Sequence, residues 1–178
     1  AYDPVQRQTK LPDPHSRVCR GVAYWEADEA GERASACGRR IFTATVDSEL
    51  IAIDARTGRA CSDFGRDGRV DLRVGMGKVE PWEYYITSPP VTANDTVAIG
   101  GMVYDNLRRD APPGVIRGFD ARTGALRWAF DPVPSGYDGP GPKPGSDYVP
   151  GTANSWSILS SDEDLDLVEG VPLEEILD

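Results

Sequence analysis

Long apolar runs are missing from this 178-residue sequence. None approaches the roughly 20 residues a membrane-spanning helix requires, so no such span is expected within it. The opening AYDPVQRQTK has no apolar core of the kind a signal peptide uses, and none is expected here. Basic residues are in the minority, 19 Lys and Arg against 29 Asp and Glu, for a net charge of −10. That balance excludes nucleic-acid binding driven by phosphate neutralisation. Histidine occurs once, as His15, and no G-x-S-x-G elbow is present. A hydrolase built on a serine and a histidine therefore has no support. The three cysteines, Cys19, Cys37 and Cys61, form no C-x-x-C pair, and a zinc site is not expected. Their odd number fits one disulfide plus one thiol in an oxidising compartment, or three thiols in a reducing one.

What is present is turn chemistry. The chain carries 19 glycines and 15 prolines, so long helices are not expected. Hydrophobic residues make up 39% and charged residues 27%, which leaves enough apolar side chains for an ordinary globular core. The acidity is concentrated at one end. Residues 161–178 hold eight acids and no base, and the remainder balances 19 basic against 21 acidic residues. That stretch reads as a solvated acidic tail. Asp162 to Asp166 lack the glycine and terminal glutamate of a calcium loop, and read as a solvated turn.

The strongest signal is an internal repeat. The segment Leu50-Ile51-Ala52-Ile53-Asp54-Ala55-Arg56-Thr57-Gly58 recurs as Ile116-Arg117-Gly118-Phe119-Asp120-Ala121-Arg122-Thr123-Gly124, 66 residues later. A short apolar strand ends in Asp, whose carboxylate can accept from the N–H groups of the turn. Glycine then supplies the positive φ that reverses the chain. A second strand follows, with its Trp or Phe packing inward; one copy continues to Trp128 and Phe130, and the other reaches Ser62 and Phe64 at the same offsets. Residues 40–46 read as a strand ahead of the first copy, and Val91 with 95–99 ahead of the second.

Each repeat thus offers three or four short antiparallel strands, the blade of a β-propeller. The expected fold is all-β, with blade hairpins around 40–64 and 91–130. The spacing exceeds the roughly 40–50 residues of compact blades, and the excess is assigned to loops at 67–85, 104–113 and 132–150. The last of these is rich in Gly and Pro. Residues 154–159 read as the start of a third blade and 171–177 as a helical turn. Two blades and part of a third do not close a propeller, so a longer parent, or association that covers the open edges, is expected.

Five blocks carry a family resemblance, in this order: Cys19-Arg20-Gly21-Val22-Ala23-Tyr24-Trp25-Glu26, Cys37-Gly38-Arg39-Arg40-Ile41, the first Asp54-Ala55-Arg56-Thr57-Gly58 unit, Thr87-Ser88-Pro89-Pro90-Val91, and Gly114-Val115-Ile116-Arg117-Gly118-Phe119-Asp120. From about His15 to Leu167 the chain resembles the membrane-bound glucose, quinate and polyol dehydrogenases that use pyrroloquinoline quinone (PQQ). It is more distantly similar to the alcohol and methanol quinoprotein dehydrogenases. The resemblance implies an eight-bladed propeller with PQQ near its axis and Ca²⁺ or Mg²⁺ against the quinone. It further implies a sugar or polyol substrate, electron delivery to ubiquinone, and the periplasmic side of the bacterial inner membrane. The aspartate that serves as base in the family, and a later basic residue, belong to blades outside this sequence. The segment alone is therefore expected to be inactive, and to need the remaining blades or a second copy beside it.

By the same resemblance, Arg20 falls at the arginine that pairs with a PQQ carboxylate, and a guanidinium fork matches that group. Thr87 falls at a threonine that hydrogen-bonds the cofactor. Asp105, 18 residues further on, falls at a metal-ligating carboxylate, and Asn106 beside it completes a cofactor-binding pair. Their oxygens suit a hard cation. Taken without the resemblance, the same residues would be a surface ion pair, a β-bridge threonine and an Asx turn. His15 reads as a lone exposed histidine. Tyr24 and Trp25 read as blade core, with lining of the cofactor slot as the alternative, Trp128 as repeat packing, and Asn154-Ser155-Trp156 as structural residues near the cofactor layer. With a periplasmic setting implied, one disulfide is expected, paired Cys19–Cys37.

A reading from another class is a non-catalytic propeller arc used as a scaffold or binding module. Arg20, Thr87 and Asp105 at cofactor spacing argue for the enzyme, since a scaffold has no use for them.

Overall fold

A computed structural model describes residues 21–80, 82–104, 108–133, 145, 148–151, 153–165, 167–168 and 171–172. In chain order the elements are β1 (Ala23–Glu26), α1 (Ala30–Ala34), β2 (Arg39–Ala44), β3 (Glu49–Asp54), β4 (Arg69–Asp71), β5 (Tyr84–Tyr85) and β6 (Val91–Ala93). They continue with β7 (Thr96–Ile99), β8 (Met102–Val103), β9 (Ile116–Asp120), β10 (Leu126–Phe130), β11 (Ser161–Asp162), β12 (Leu167–Val168) and β13 (Val171–Pro172). Strands β1-β2-β3-β4 form one antiparallel meander and β6-β7-β9-β10 a second. Strands β11-β12-β13 form a three-stranded sheet, and β5 pairs with β8.

The repeated pentapeptide folds the same way twice. Asp54 Oδ1 accepts from the backbone N–H groups of Arg56 at 3.0 Å and Thr57 at 2.7 Å. Asp120 Oδ1 accepts from Arg122 at 3.0 Å and Thr123 at 2.7 Å. Gly58 and Gly124 follow at φ of 70° and 73°, a conformation that glycine adopts without steric cost. These turns end β3 and β9, the third strand of each four-stranded sheet.

The two sheets stack face to face. Phe42, Leu50, Ala52 and Phe64 of the first pack with Val97, Ile99, Phe119 and Ala121 of the second in one buried cluster. Trp25 marks the junction. The guanidinium of Arg122, from the second repeated turn, lies 4.8 Å from the centre of its ring. Arg122 also pairs with Glu32 at 2.8 Å and Asp95 at 2.5 Å, and its carbonyl accepts from Arg40 at 2.8 Å. Arg122 thus reaches Trp25, Glu32 and Arg40 of the first blade while Asp95 holds it within the second, which fixes how the two sheets face one another.

Phe64 and Phe130 occupy the same offset from the repeated turns but differ in burial. Phe64 is fully buried beneath Gly124, where an added Cβ would come 3.3 Å from its ring. Gly65 N–H donates to the Thr123 carbonyl at 2.8 Å, closing that join. Phe130 is 40% exposed, and the inward-packing residue of its strand is the buried Trp128.

Four expectations are corrected. The disulfide joins Cys37 to Cys61, not Cys19 to Cys37. Cys37 is held beside the end of β3 by Asp54, and Cys61 is held against Ala52 of the same strand by a backbone bond of 2.9 Å, so the α-carbons stand 5.8 Å apart. That separation is within disulfide reach. The strand after the first repeated turn is reduced to a bridge between Ile53 and Ala60. The fourth strand of the sheet, β4, comes later, inside the segment read as loop, because a turn at 62–64 carries Phe64 into the core first. Residues 154–159 form no strand; the third sheet is built from 161–162, 167–168 and 171–172, within the stretch read as a tail. Residues 171–172 pair with β12 and are not helical.

Candidate functional site

The first strands of the three sheets lie side by side. Thr92 Oγ1 on β6 donates to the Tyr24 carbonyl on β1 at 2.9 Å, and Ser161 Oγ on β11 donates to the Thr92 carbonyl at 2.9 Å. The residues leading into these strands repeat the relationship. A Cβ on Gly21 would stand 3.3 Å from Pro89 Cβ, and Thr87 Oγ1 donates to the Trp156 carbonyl at 3.0 Å. Thr87 to Trp156 and Thr92 to Ser161 are both separated by 69 residues, and Tyr24 to Thr92, like Gly21 to Pro89, by 68. Constant offsets mean that the three segments run in the same direction and in register. Their leading residues therefore emerge at one common end.

That end is tightly built. Ser88 Oγ donates to the Gly100 carbonyl at 2.9 Å. A Cβ on Gly100 would lie 2.3 Å from the Ser155 carbonyl oxygen, and one on Gly114 would lie 1.9 Å from that of Ala153. Only glycine permits these approaches. Thr87 is buried, while Trp156, whose carbonyl it reaches, is 47% exposed.

Of the site residues expected from sequence, Thr87 is thus placed at this common end. Arg20, Asp105 and Asn106 lie outside the described residues, as do His15 and Cys19. Their described neighbours are informative. Gly21, which follows Arg20, sits at the same end as Thr87. Tyr104, which precedes Asp105, closes the ladder of β5 and β8, and its N–H donates to the Glu83 carbonyl at 2.8 Å. Trp25 and Trp128 are core, as expected, whereas Tyr24, also expected in the core, is half-exposed because its place on β1 turns it to the outer face.

Sequence reasoning missed Glu83. It is buried, and its carboxylate takes a two-pronged ion pair from Arg108, with Nε at 2.6 Å and Nη2 at 2.9 Å. The Arg108 fork holds this carboxyl below its ordinary range, against the opposing effect of burial. No local motif links residues 25 apart, so this pair had no signal to find. The described residues also gather Cys37, Cys61 and Asp63 as possible metal donors. Both sulfurs are joined to each other, and Asp63 pairs with Arg40 at 2.6 Å, so this corner is structural.

Comparison with known proteins agrees with this architecture. Residues 1–173 match the family model described as "PQQ: Glucose/ethanol/alcohol dehydrogenase, beta-propeller domain". The chain is 40% identical over 155 residues to the glycerol dehydrogenase large subunit of Gluconobacter oxydans, covering 87% of this chain and 21% of that protein. It is 40% identical over 169 residues to the quinate/shikimate dehydrogenase (quinone) of Acinetobacter baylyi, covering 84% and 20%. With the quinoprotein glucose dehydrogenase of Escherichia coli K12 it shares 38% over 173 residues, covering 94% and 21%. The chain therefore spans about a fifth of the length of these curated relatives. Among solved structures, the quinohemoprotein alcohol dehydrogenase ADHIIG of Pseudomonas putida HK5 superposes with a TM-score of 0.54 at 25% identity, over 85% of this chain and 20% of that one. The quinohemoprotein alcohol dehydrogenase of Comamonas testosteroni gives a TM-score of 0.55 at 21% identity, over 85% and 21%, a likeness of fold. With repeated blades, aligned first strands and a family match along nearly its whole length, this chain belongs to the PQQ-dependent glucose/ethanol/alcohol dehydrogenase β-propeller family.

Proposed function

We propose that this chain forms one wall of the cofactor and cation site of a dehydrogenase that oxidises a CH–OH group of a sugar, polyol or cyclic polyol of the glucose or quinate type. The observation that carries the reading is the common end of the three first strands, where Thr87 reaches Trp156 and Gly21 meets Pro89. The donor chemistry fits the groups the family uses. Arg20 offers a fork to a carboxylate, and Asp105 and Asn106 offer oxygens to Ca²⁺ or Mg²⁺. Thr87 keeps acceptor lone pairs after its donation to Trp156. PQQ, held by these residues, would supply the hydride acceptor, and the cation would supply charge to polarise it.

The chain's own residues bind and orient. Arg20 would neutralise a carboxylate, Thr87 would fix the cofactor's edge, and Asp105 with Asn106 would hold the cation. Proton removal from the substrate falls to a residue of the remaining protein, so the isolated segment binds without turnover. We place the parent protein on the periplasmic side of the inner membrane, with electrons passing to ubiquinone.

The test is a PQQ titration with Ca²⁺ or Mg²⁺, followed by quenching of tryptophan fluorescence, in the full-length protein that carries this segment. Saturable binding that is lost in Arg20→Ala and Asp105→Ala is expected. Binding unaffected by either substitution overturns this assignment of residues. Absence of binding in the wild type favours a non-catalytic propeller.

A further inference from the structure

The two repeated turns share one backbone shape, but their outward groups meet different surroundings. The second turn is taken up by the first blade. The Arg122 guanidinium lies 4.8 Å from the Trp25 ring centre and pairs with Glu32 at 2.8 Å. The Arg122 carbonyl accepts from Arg40 Nη1 at 2.8 Å, and the Thr123 carbonyl accepts from the Gly65 N–H at 2.8 Å. Gly124 is crowded too: a Cβ there would stand 2.8 Å from Val70 Cγ2 and 2.9 Å from Gly65 N.

The first turn has none of this cover. Arg56 holds the place of Arg122, 66 residues earlier. Among the described residues its guanidinium meets no carboxylate and donates to the Ser35 carbonyl. No described donor reaches the carbonyls of Arg56 or Thr57, and a Cβ on Gly58 would meet nothing within 4 Å. Arg56 instead lines a cavity of about 310 Å³ with Arg33, Arg39, Ala30 and Ala34, and no described carboxylate lines it. Glu26, shared by Arg33 at 3.5 Å and Arg39 at 3.4 Å, also accepts from the Tyr24 hydroxyl. The Arg39 Nε is buried and makes no hydrogen bond. Arg39 belongs to the face of the first sheet turned away from the second. Along the paired strands β1 and β2, Trp25 and Arg40 meet Arg122, and Glu26 opposite Arg39 is the next pair, on the other side of the pleat.

We infer that this corner docks a further blade of the parent protein, outside residues 1–178, and that an acidic side chain of that blade pairs with Arg56 as Glu32 pairs with Arg122. The uncovered groups of the first turn are the ones the second turn has filled. Charge points the same way. Three guanidinium groups around one cavity repel one another and lose hydration when covered, so a cover without an acid is unfavourable. A carboxylate matches their forks and offsets both effects. Asp95, between β6 and β7, gives Arg122 a second acid from its own blade at 2.5 Å. The matching connection between β1 and β2 carries α1 and offers Arg56 the Ser35 carbonyl instead. The docking acid is therefore the carboxylate that Arg56 receives.

The experiment uses the full-length protein that carries this segment. Arg56→Lys and, as reference, Arg122→Lys place an amine where each guanidinium stands. A water-soluble carbodiimide joins an amine to a carboxylate in contact with it, and peptide mapping by mass spectrometry reads the partner. The amine at position 122 is expected to couple to Glu32 or Asp95. The amine at position 56 is expected to couple to an Asp or Glu outside residues 1–178 of the same molecule, with the coupling lost when that acid is changed to its amide. Coupling to an acid within residues 1–178, coupling between copies in an isotope-mixed sample, or no coupling at position 56 while position 122 reacts overturns the inference. Phenylglyoxal labelling of the wild type decides if either variant does not fold or position 122 does not react. Arg56 should then stay unlabelled, as Arg122 does, under conditions that label both in the unfolded protein. Labelling of Arg56 in the folded full-length protein overturns the inference.

Discussion

The backbone N–H of Cys37 donates to Asp54 Oδ2 at 2.6 Å, tying the turn before β2 to the end of β3. The other oxygen of that carboxylate holds the Arg56 and Thr57 amides of its own turn. In the second copy, Asp120 directs its second oxygen to Arg127 at 2.7 Å instead. Identical pentapeptides therefore build identical turns, while the outward-facing oxygen secures a different neighbour in each blade. In the first blade that neighbour carries the disulfide.

This contact makes acid stability a readout of Asp54. The Cys37 amide, ahead of the Thr57 and Arg56 amides, lowers its carboxyl to about 2, against the effect of burial. A carboxyl depressed in the folded state contributes stability above its ordinary range near 4, and loses it as pH falls through about 2. Asp54→Asn should cost on the order of 1–2 kcal/mol at pH 7. The difference in melting temperature between wild type and variant should shrink between pH 4 and pH 2. A difference that stays constant over that window would show the carboxylate charge to be irrelevant.

The disulfide closes a loop of 24 residues. Cys61→Ser should destabilise the protein by roughly 3 kcal/mol on the chain-entropy account, with loss seen in urea melts. Cys19→Ser should leave that bridge intact. Peptide mapping without reductant should recover Cys37 joined to Cys61, and a Cys19–Cys37 peptide would refute the pairing.

The junction at Trp25 should resist substitution of either partner. Arg122→Lys keeps the charge but loses the planar group over the ring and the fork that reaches Glu32 and Asp95 together. A loss of about 1–2 kcal/mol is expected. Trp25→Ala, which empties a buried site, should cost about 3–5 kcal/mol. Chemical denaturation of the two variants measures both, and equal costs would contradict the distinction.

Gly118 should accept no side chain. A Cβ there would stand 2.2 to 2.7 Å from the Trp128 indole, which packs flush on the Gly118 backbone. Gly118→Ala should destabilise by about 1–3 kcal/mol or more and alter the near-ultraviolet circular dichroism of the tryptophans. An unchanged spectrum and midpoint would mean that the indole moves aside freely.

Thr87→Val separates structure from ligand binding. Loss of the hydroxyl's bond to the Trp156 carbonyl should cost about 1 kcal/mol in stability. If Thr87 also holds the cofactor, PQQ affinity should fall by more than that stability loss accounts for. Equal PQQ affinity in wild type and variant would confine Thr87 to joining two blades.

Local chemistry made much of this chain legible before any fold was known. An Asp that caps its own turn and a Gly that takes positive φ act within five residues, so the repeat, the strands at β2, β3, β7 and β9, and the blade architecture could be read from Asp54-Ala55-Arg56-Thr57-Gly58 and its twin. Motif spacing named Thr87 as a site residue by resemblance. Partners set by packing between distant segments were not legible. Cys61 pairs with Cys37 because both flank β3, a neighbourhood that no spacing encodes. Phe64 is buried and Phe130 half-exposed at equal offsets, because one has a following turn above it. Glu83 finds Arg108 across a two-residue ladder, and Thr87 finds Trp156 across a blade boundary. Such pairs depend on which strand edges and sheet faces meet, and that geometry exists only once the blades have stacked.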